Sequence, residues 1–264
     1  MKKVRTYGIL GSGVMGGVLF SLIRLADPKS RVVVCVRDTK KVAAWKSRGA
    51  IVVRNGQQFP ATDIIILAIK PNDFSTVGIR VVPSTLVISV MAGVSIATIR
   101  EKLGAHNVVR TMMNIAADHG TGLAVWYAPS SVEAEGRRIA RAICAAAGEA
   151  QEVTREVDID RATVILGSGP AFLLRALSNF SAAAHGLMIS RKDAARMTQS
   201  ALAAAQLLAM KESDIDMLVA RIASKGGTTE AGLQVFDDAK MSAIWNKAIR
   251  AAYGRARALQ KNIQ

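Results

Sequence analysis

A glycine-rich loop near the start of the chain has the spacing of a phosphate-binding turn. It follows an apolar run, reads G-x-G-x-x-G and leads directly into a helix-type pattern. The first glycine permits a tight turn, the second lets the backbone approach a pyrophosphate, and the third allows close packing of the helix. The helix N-terminus also directs N–H groups at the anion. The residues predicted to bind a dinucleotide in this way are Gly11, Ser12, Gly13, Val14, Met15 and Gly16.

The residue that closes the second predicted strand indicates which dinucleotide is bound. A carboxylate at this place accepts a hydrogen bond from a ribose 2′-hydroxyl and repels a 2′-phosphate. The chain has Arg37 here, and Lys40 and Lys41 follow on the next turn. A cluster of cations suits a 2′-phosphate, so NADP is the predicted cofactor. Asp38, which adjoins Arg37, keeps NAD open as the alternative.

A second glycine-rich turn lies near the other end of the chain. Gly226, Gly227, Thr228 and Thr229 precede an apolar helix pattern. Successive backbone N–H groups at such a turn suit a carboxylate. The sequence predicts no metal site, because neither the three histidines nor the two cysteines have the spacing of metal ligands.

The elements that must position these residues alternate between β-type and helix-type patterns in the first half of the chain. Strands are predicted at Val4–Leu10, Arg31–Val36, Ile51–Val53, Asp63–Ile69, Thr85–Ser89, Val108–Arg110 and Gly122–Tyr127. Helices are predicted at Val14–Leu25, Lys40–Arg48, Ile96–Leu103 and Val132–Ala147. Such alternation is typical of an α/β fold with a doubly wound, mainly parallel sheet.

The pattern becomes helical from about Asp158 onward, where Ala, Leu and Met recur at helical spacing. Ser168 is predicted to cap the first long helix, with Pro170 in its first turn. The helices at Ala171–Gly186 and Ala194–Met210 are apolar on most faces, which predicts burial against a second copy of the chain. We therefore expect a dinucleotide-binding domain at 1–155 and a helical domain at 156–264.

Four strings taken together resemble the 1-pyrroline-5-carboxylate reductase family. They are GILGSGVMGG around the first loop, AIKP at Ala68–Pro71, SGP at Ser168–Pro170 and GGTTEAGL at Gly226–Leu233. The resemblance implies a Rossmann domain followed by an all-helical dimerisation domain, and reduction of a small cyclic imine, 1-pyrroline-5-carboxylate, to proline with NADPH. It also implies an interlocked homodimer, or a higher homo-oligomer, whose interface helps to build each active site.

The resemblance assigns further site residues. It places Lys70 and Pro71 beside the nicotinamide ribose, with Ala68 in the same string, and Asn55 at the adenosine ribose. Thr229 receives the catalytic role, a hydrogen bond to the ring nitrogen, because hydride transfer needs an oriented imine and no nucleophile. Its alternative role is that of a helix cap. The residues predicted to bind the substrate are Ser224, Gly226, Gly227, Thr228, Asn114 and Ser168.

The chain also departs from its relatives in two loops. Prolines common in the family are replaced here by Met113, Ala116 and Lys225, and a polar pair is replaced by Val219 and Ala220. Proline restricts the backbone, so we expect these loops to be looser or shaped for another ring. Lys225 either brings a cation to the substrate carboxylate or points to solvent.

Two other functions stay open at this point. A β-hydroxyacid dehydrogenase has a similar first loop, but the lysine that it requires on the long helix corresponds to Leu173, and Arg175 lies two residues away. A catalytically silent, NADP-binding regulatory protein of the same fold is the second alternative, because of the changed loops and the charge.

The net charge of +15 lies mostly in residues 1–155, which carry 21 Lys and Arg against 10 Asp and Glu. We interpret it as a solvated face beside a phosphate-rich cofactor, and nucleic-acid binding as the lesser alternative, because no stripe of basic and aromatic residues accompanies it. No apolar run reaches the roughly 18 to 20 residues that cross a bilayer. We therefore expect a soluble cytoplasmic protein that does not enter membranes.

Overall fold

One sheet organises the first part of the chain. In the computed structural model, which describes residues 4–54 and 59–261, this sheet has eight strands. They are β1 (Thr6–Leu10), β2 (Arg31–Val36), β3 (Ile51–Arg54), β4 (Ile64–Leu67), β5 (Leu86–Ser89), β6 (Asn107–Met113), β7 (Gly122–Tyr127) and β8 (Gly148–Glu152). Their spatial order is β3-β2-β1-β4-β5-β6-β7-β8.

The first six strands along the chain, β1 to β6, all run parallel to one another, as the sequence predicts for a doubly wound sheet. The strand order reverses between β1 and β4, so β1 lies between β2 on one side and β4 on the other. Ligands of open α/β sheets bind outside the carboxyl ends of the strands at such a switch point. The predicted phosphate loop follows β1 at this place, and the expected α/β fold is confirmed.

Helices cover both faces of the sheet. They are α1 (Val14–Ala26), α2 (Val42–Ser47), α3 (Ile96–Leu103) and α4 (Ala134–Ala145). The side chains of β4 are all buried and alternate between the two faces: Ile64 and Ile66 pack in the core under α1 and α4, whereas Ile65 and Leu67 pack with α3. A strand that is apolar on both faces needs this double cover. No helix of the described residues is long and apolar enough to cross a membrane.

The far edge of the sheet differs from the prediction. β7 runs antiparallel to β6, and β8 pairs in parallel with β7, although no strand was expected after α4. The β8 sequence, GEAQE, lacks β-branched residues and lies mostly exposed. Its strand geometry comes from pairing with β7, and an exposed edge strand gives a weak sequence signal because it has no buried face.

The expected cap at Ser168 is wrong. Helical structure runs without a break from α5 (Val157–Ala162) through a π-helical turn at Thr163–Ser168 into α6 (Gly169–His185). Pro170 lacks the N–H for a regular bond four residues back, and its ring would crowd that carbonyl. A wider turn before the proline relieves both problems, so Ser168 ends a π-turn instead of starting a helix.

The remaining helices are α7 (Arg191–Ala209), α8 (Ile215–Ile222), α9 (Thr228–Asp238) and α10 (Met241–Lys261). Two compact units result: the described residues up to Ser168 together with the end of α10 from Ala252, and a helical unit at Gly169–Ala251. Within the helical unit α6 packs on α7, and α7 packs on α8. Ser190 caps α7, because its hydroxyl accepts a hydrogen bond from the Asp193 N–H at 3.1 Å.

A buried ion-pair cluster ties α5 to the sheet. The Arg110 guanidinium on β6 is fully buried and contacts Asp160 at 2.7 Å and Glu156 at 3.0 Å. The same Glu156 oxygen accepts the Ile96 N–H, at the start of α3, at 2.8 Å. One arginine therefore joins a central strand to two helices.

Asp160→Asn should lower the free energy of unfolding by about 3 kcal/mol, because it leaves part of the buried Arg110 charge uncompensated. Urea denaturation followed by circular dichroism measures this loss. Asp158→Asn is the matched control: this carboxylate pairs with the exposed Arg155 and Arg161, so we expect a clearly smaller loss. Equal losses in the two variants would contradict a special role for the buried cluster.

Candidate functional site

The loop between β1 and α1 has the shape of a diphosphate cradle. Gly11 has a φ of +116°, and a Cβ at this residue would overlap the Ala68 carbonyl oxygen. A Cβ at Gly16 would overlap the Gly11 carbonyl oxygen. A Cβ at Gly13, in contrast, would meet nothing within 4 Å. Gly11 and Gly16 thus close the turn, and Gly13 leaves open space, which is what a bound pyrophosphate requires.

The start of α1 supplies unpaired donors to this space. Gly13 is the N-cap of α1, with an extended backbone and no side-chain capping bond. The first N–H groups of a helix have no partner within the helix and carry the positive end of its dipole. The loop therefore fits the diphosphate of a dinucleotide by shape and by charge.

A groove of about 1180 Å³ extends from this loop across the carboxyl ends of β1, β2 and β4. It brings together six of the residues that the sequence assigns to the cofactor, which are Gly11, Ser12, Gly13, Arg37, Ala68 and Lys70. Its other lining residues include Phe59, Pro60 and Thr85, which precede β4 and β5.

Four predicted cofactor residues have other positions. Val14 lines a second, smaller cavity, which is bordered by α1 and α2, whereas Met15 packs against the core and Gly16 contacts the loop backbone. Pro71 begins the short helix Pro71–Thr76, which follows Lys70. Asn55 lies outside the described residues, so its assignment to the adenosine ribose stays a prediction.

Charged side chains gather at the β2 end of the groove. Arg37 and Lys41 line it, and the Arg37 guanidinium donates to the Asp73 carboxylate at 2.8 Å. Asp38 also lines the groove, but its carboxylate caps the short helix Thr39–Lys41 by accepting the Lys40 N–H at 3.0 Å. Asp38, the acid that left NAD as an alternative cofactor, therefore hydrogen-bonds to the backbone.

Asp73 is a groove residue that sequence reasoning missed. It lies in the short helix after Lys70, 36 residues from its partner Arg37, and it is about one-third exposed (32%). Its only sequence signal is an acid soon after the AIKP string, and the pairing itself depends on the sheet order.

Both cysteines are free thiols. Cys35 lines the groove, and partial burial raises its pKa although Arg37 acts in the opposite direction. Burial raises the pKa of Cys144 to about 12. Both side chains are therefore protonated at neutral pH.

Two predicted substrate residues lie in the first unit. Asn114 follows β6 and caps the short helix Ile115–His119. Its Oδ1 is buried and has no hydrogen-bond partner among the described residues, which is uncommon for a buried polar atom. Ser168 is half-buried at the end of the π-turn.

The glycine–threonine turn lies in the helical unit and starts α9. Gly226 has a φ of +73°, which a glycine tolerates. The Gly227 N–H donates to the Ser224 carbonyl at 2.9 Å, and a Cβ at Gly227 would lie 2.6 Å from the Ser224 hydroxyl. Lys225 is exposed. The two glycines are therefore needed for the turn itself.

Thr229 is the second residue of α9, whose N-cap is Gly227 without a side-chain capping bond. Its alternative role as a helix cap is therefore wrong. The N–H groups of Thr228 and Thr229 belong to the first turn and have no acceptor within the helix. These two donors and the half-buried Thr229 hydroxyl are available to a ligand.

Glu230 is the second residue that sequence reasoning missed. Its carboxylate accepts the Gly226 N–H at 2.7 Å. Because the Gly227 N–H donates to the Ser224 carbonyl, two of the three N–H groups expected to hold a carboxylate, those of Gly226, Gly227 and Thr228, are engaged within the turn. An acid at the third position of a helix often reaches back in this way, and this pattern was the available signal. A substrate carboxylate at this turn would meet the N–H groups of Thr228 and Thr229 before that of Gly226.

Family models match both parts of the chain. The model described as pyrroline-5-carboxylate reductase dimerisation matches residues 156–259. The model described as NADP oxidoreductase, coenzyme F420-dependent, matches residues 6–93, which include the phosphate loop and Asp73.

Whole-chain comparisons point to one family. The pyrroline-5-carboxylate reductase of Pseudomonas aeruginosa is 31% identical over 94% of this chain and 90% of its own length, and that of Synechocystis is 30% identical over 96% and 98%. A solved structure of the Coxiella burnetii pyrroline-5-carboxylate reductase is 25% identical, with a TM-score of 0.81 over 97% of this chain and 99% of its own. The Streptococcus pyogenes structure, at 21% identity and a TM-score of 0.87, shares the fold. The chain belongs to the pyrroline-5-carboxylate reductase family.

Proposed function

We propose that this protein reduces the C=N bond of 1-pyrroline-5-carboxylate with NADPH and so forms proline. The observation that carries the proposal is the likeness to the Pseudomonas aeruginosa reductase along 94% of the chain. The family models add support, because their matches include the phosphate loop and the glycine–threonine turn. The groove supports an oxidoreductase that uses a phosphorylated dinucleotide, and the turn supports a substrate with a carboxylate.

The residues of the groove hold the cofactor in this proposal. The first-turn N–H groups of α1 and the open backbone at Gly13 bind the diphosphate, and Arg37 and Lys41 face the 2′-phosphate. Lys70 and Pro71 lie beside the nicotinamide ribose. When bound, the reduced cofactor supplies the hydride that the imine carbon accepts.

The residues of the turn hold and orient the substrate. The N–H groups at the start of α9 bind the carboxylate, and the Thr229 hydroxyl donates to the ring nitrogen. Ser224, Asn114 and Ser168 are further substrate contacts carried over from the family. Orientation dominates in this mechanism, because hydride transfer to an imine whose nitrogen accepts this hydrogen bond needs neither a nucleophile nor a metal, and solvent water supplies the proton that the nitrogen takes up.

The test measures loss of NADPH absorbance with 1-pyrroline-5-carboxylate and with other cyclic imines, and gain of NADPH absorbance when β-hydroxyacids are supplied with NADP⁺. Proline formation from the first substrate supports the proposal. Turnover of only another imine would overturn the assigned substrate, and turnover of a hydroxyacid would support the dehydrogenase alternative. Tight NADPH binding without any turnover would indicate the silent regulatory protein.

We propose further that the helical unit forms a homodimer. Leu173, Leu177 and Phe180 form a stripe at helical spacing on α6, and Leu173 and Phe180 are 64% and 56% exposed in the single chain. Such a stripe on a helix of a dimerisation region suits the same stripe on a second copy. Assembly beyond the dimer is compatible with this surface.

Phe180→Asp should shift the protein from dimer to monomer at micromolar concentration, because an unpaired carboxylate would be buried in the interface. Light scattering coupled to size exclusion gives the mass. Ser178→Asp is the control, since this exposed residue lies on the opposite side of the same helix. A wild-type chain that is a folded monomer at this concentration would contradict the proposal directly.

Three coarser assignments complete the proposal. We place the boundary between the cofactor and dimerisation segments at 155/156, with support from the family match that begins at residue 156. We also propose that the protein works in the cytoplasm, where a biosynthetic reductase finds NADPH. The excess of positive charge serves the anionic cofactor and substrate, and no nucleic acid is a partner.

A further inference from the structure

An ion pair crosses the groove at the carboxyl end of β1. Arg37 follows β2 and Asp73 follows β4, and these two strands flank β1 in the sheet. The guanidinium and the carboxylate approach to 2.8 Å. The pair therefore lies over the path that a dinucleotide takes from the phosphate loop toward β2.

Asp73 is held by its own backbone, whereas Arg37 is a long and largely exposed side chain. The Asp73 N–H donates to the Lys70 carbonyl at 2.9 Å, and its carbonyl accepts the Thr76 hydroxyl at 2.8 Å. Arg37 is 65% exposed. The Asp73 backbone is thus held in place in the groove wall and keeps its short side chain there, whereas the long, exposed arginine is free to change its partner.

A cofactor with a 2′-phosphate must use the same arginine. Asp73 is the carboxylate that contacts Arg37 within the described part of the groove. The nearby Asp38 carboxylate instead caps a short helix. A phosphate at Arg37 would come close to this carboxylate, and like charges at short range oppose binding. A ribose 2′-hydroxyl instead can donate to a carboxylate.

We propose that Asp73 sets the cofactor selectivity of this enzyme by competing with the 2′-phosphate for Arg37. This inference rests on the proposed use of a nicotinamide dinucleotide. Asp73 lowers the affinity for NADP⁺ and supports the affinity for NAD⁺, so the enzyme distinguishes the two cofactors less sharply than its cations alone would allow.

The test is the binding of cofactors and of their adenosine fragments to the intact protein without substrate. Isothermal titration calorimetry of wild type and Asp73→Asn uses NADP⁺, NAD⁺, adenosine 2′,5′-bisphosphate and 5′-AMP. We expect the dissociation constants for NADP⁺ and for the bisphosphate to fall about tenfold, because a like charge that is partly screened by solvent is removed. Those for NAD⁺ and 5′-AMP should stay unchanged or rise.

Asp216→Asn is the charge-matched control, because Asp216 lies on α8 and its substitution should alter none of the four constants. Unchanged or weaker NADP⁺ binding to Asp73→Asn would overturn the inference, and weaker binding would show that Asp73 positions Arg37 for the phosphate. Thermal melting of the variant without ligand establishes that the fold is retained. If wild type binds neither dinucleotide, the proposed function itself is wrong; if it binds NADP⁺ and only the variant fails the expectation, the role of Asp73 alone is wrong.

Discussion

Arg37→Asp should raise the Michaelis constant for NADPH by about 10- to 100-fold and change that for NADH little. The estimate follows from the loss of one charge-assisted contact to the 2′-phosphate, which is worth about 1.5 to 3 kcal/mol. The new carboxylate would also lie near Asp73, the present partner of Arg37 at 2.8 Å. Two acids in place of an ion pair would repel the phosphate and oppose its attraction to Lys41.

Steady-state kinetics with both cofactors measure this change in selectivity. Arg141→Asp is the control, because Arg141 is an exposed residue of α4 and carries the same change of charge. This control separates the effect of losing one contact at Arg37 from the effect of lowering the positive electrostatic potential of the whole protein, whose net charge is +15. Unchanged selectivity in Arg37→Asp would contradict the NADPH assignment.

The sequence predicts the nucleotide half of this protein well because local signals and tertiary structure agree there. The apolar run of β1, the glycine spacing and the helix pattern of α1 each describe one part of a single βαβ unit. Gly11 and Gly16 are required by backbone contacts that only a tight strand-to-helix turn creates. Arg37 directly follows the second strand, as the pattern requires.

Features that depend on distant partners were not predictable. The Arg37–Asp73 pair forms because β2 and β4 flank β1, and the Arg110 cluster forms because α5 returns to β6. β8 gains its structure from β7. None of these pairings has a periodic signal in the sequence.

The substrate half was predicted less well for a different reason. At Ser168 the motif suggests a helix start, but the helix begins earlier and Pro170 widens it into a π-turn. At Gly226 the motif suggests a free N–H, but the Glu230 side chain accepts it. In both places one side chain changes which backbone groups are available, and a motif for the backbone alone cannot show this.

Thr229→Val should lower the turnover number by about 10- to 100-fold and leave cofactor binding unchanged. Valine keeps the shape of threonine and removes the hydroxyl that we assign to the ring nitrogen. A hydrogen bond that strengthens as the imine is reduced acts on turnover more than on substrate binding. The melting temperature should not fall, because Thr229 is not the N-cap of α9 and its hydroxyl does not hold the helix start.

Measuring turnover, NADPH affinity and melting temperature on one preparation separates catalysis from folding. Thr154→Val, at an exposed residue outside the helical unit, is the matched control and should change none of the three. A variant with normal turnover and a lowered melting temperature would assign Thr229 to stability and would contradict its catalytic role. Reduced turnover with an unchanged melting temperature instead requires the hydroxyl at the reacting ring, since the Thr228 and Thr229 N–H groups are still present to bind the carboxylate.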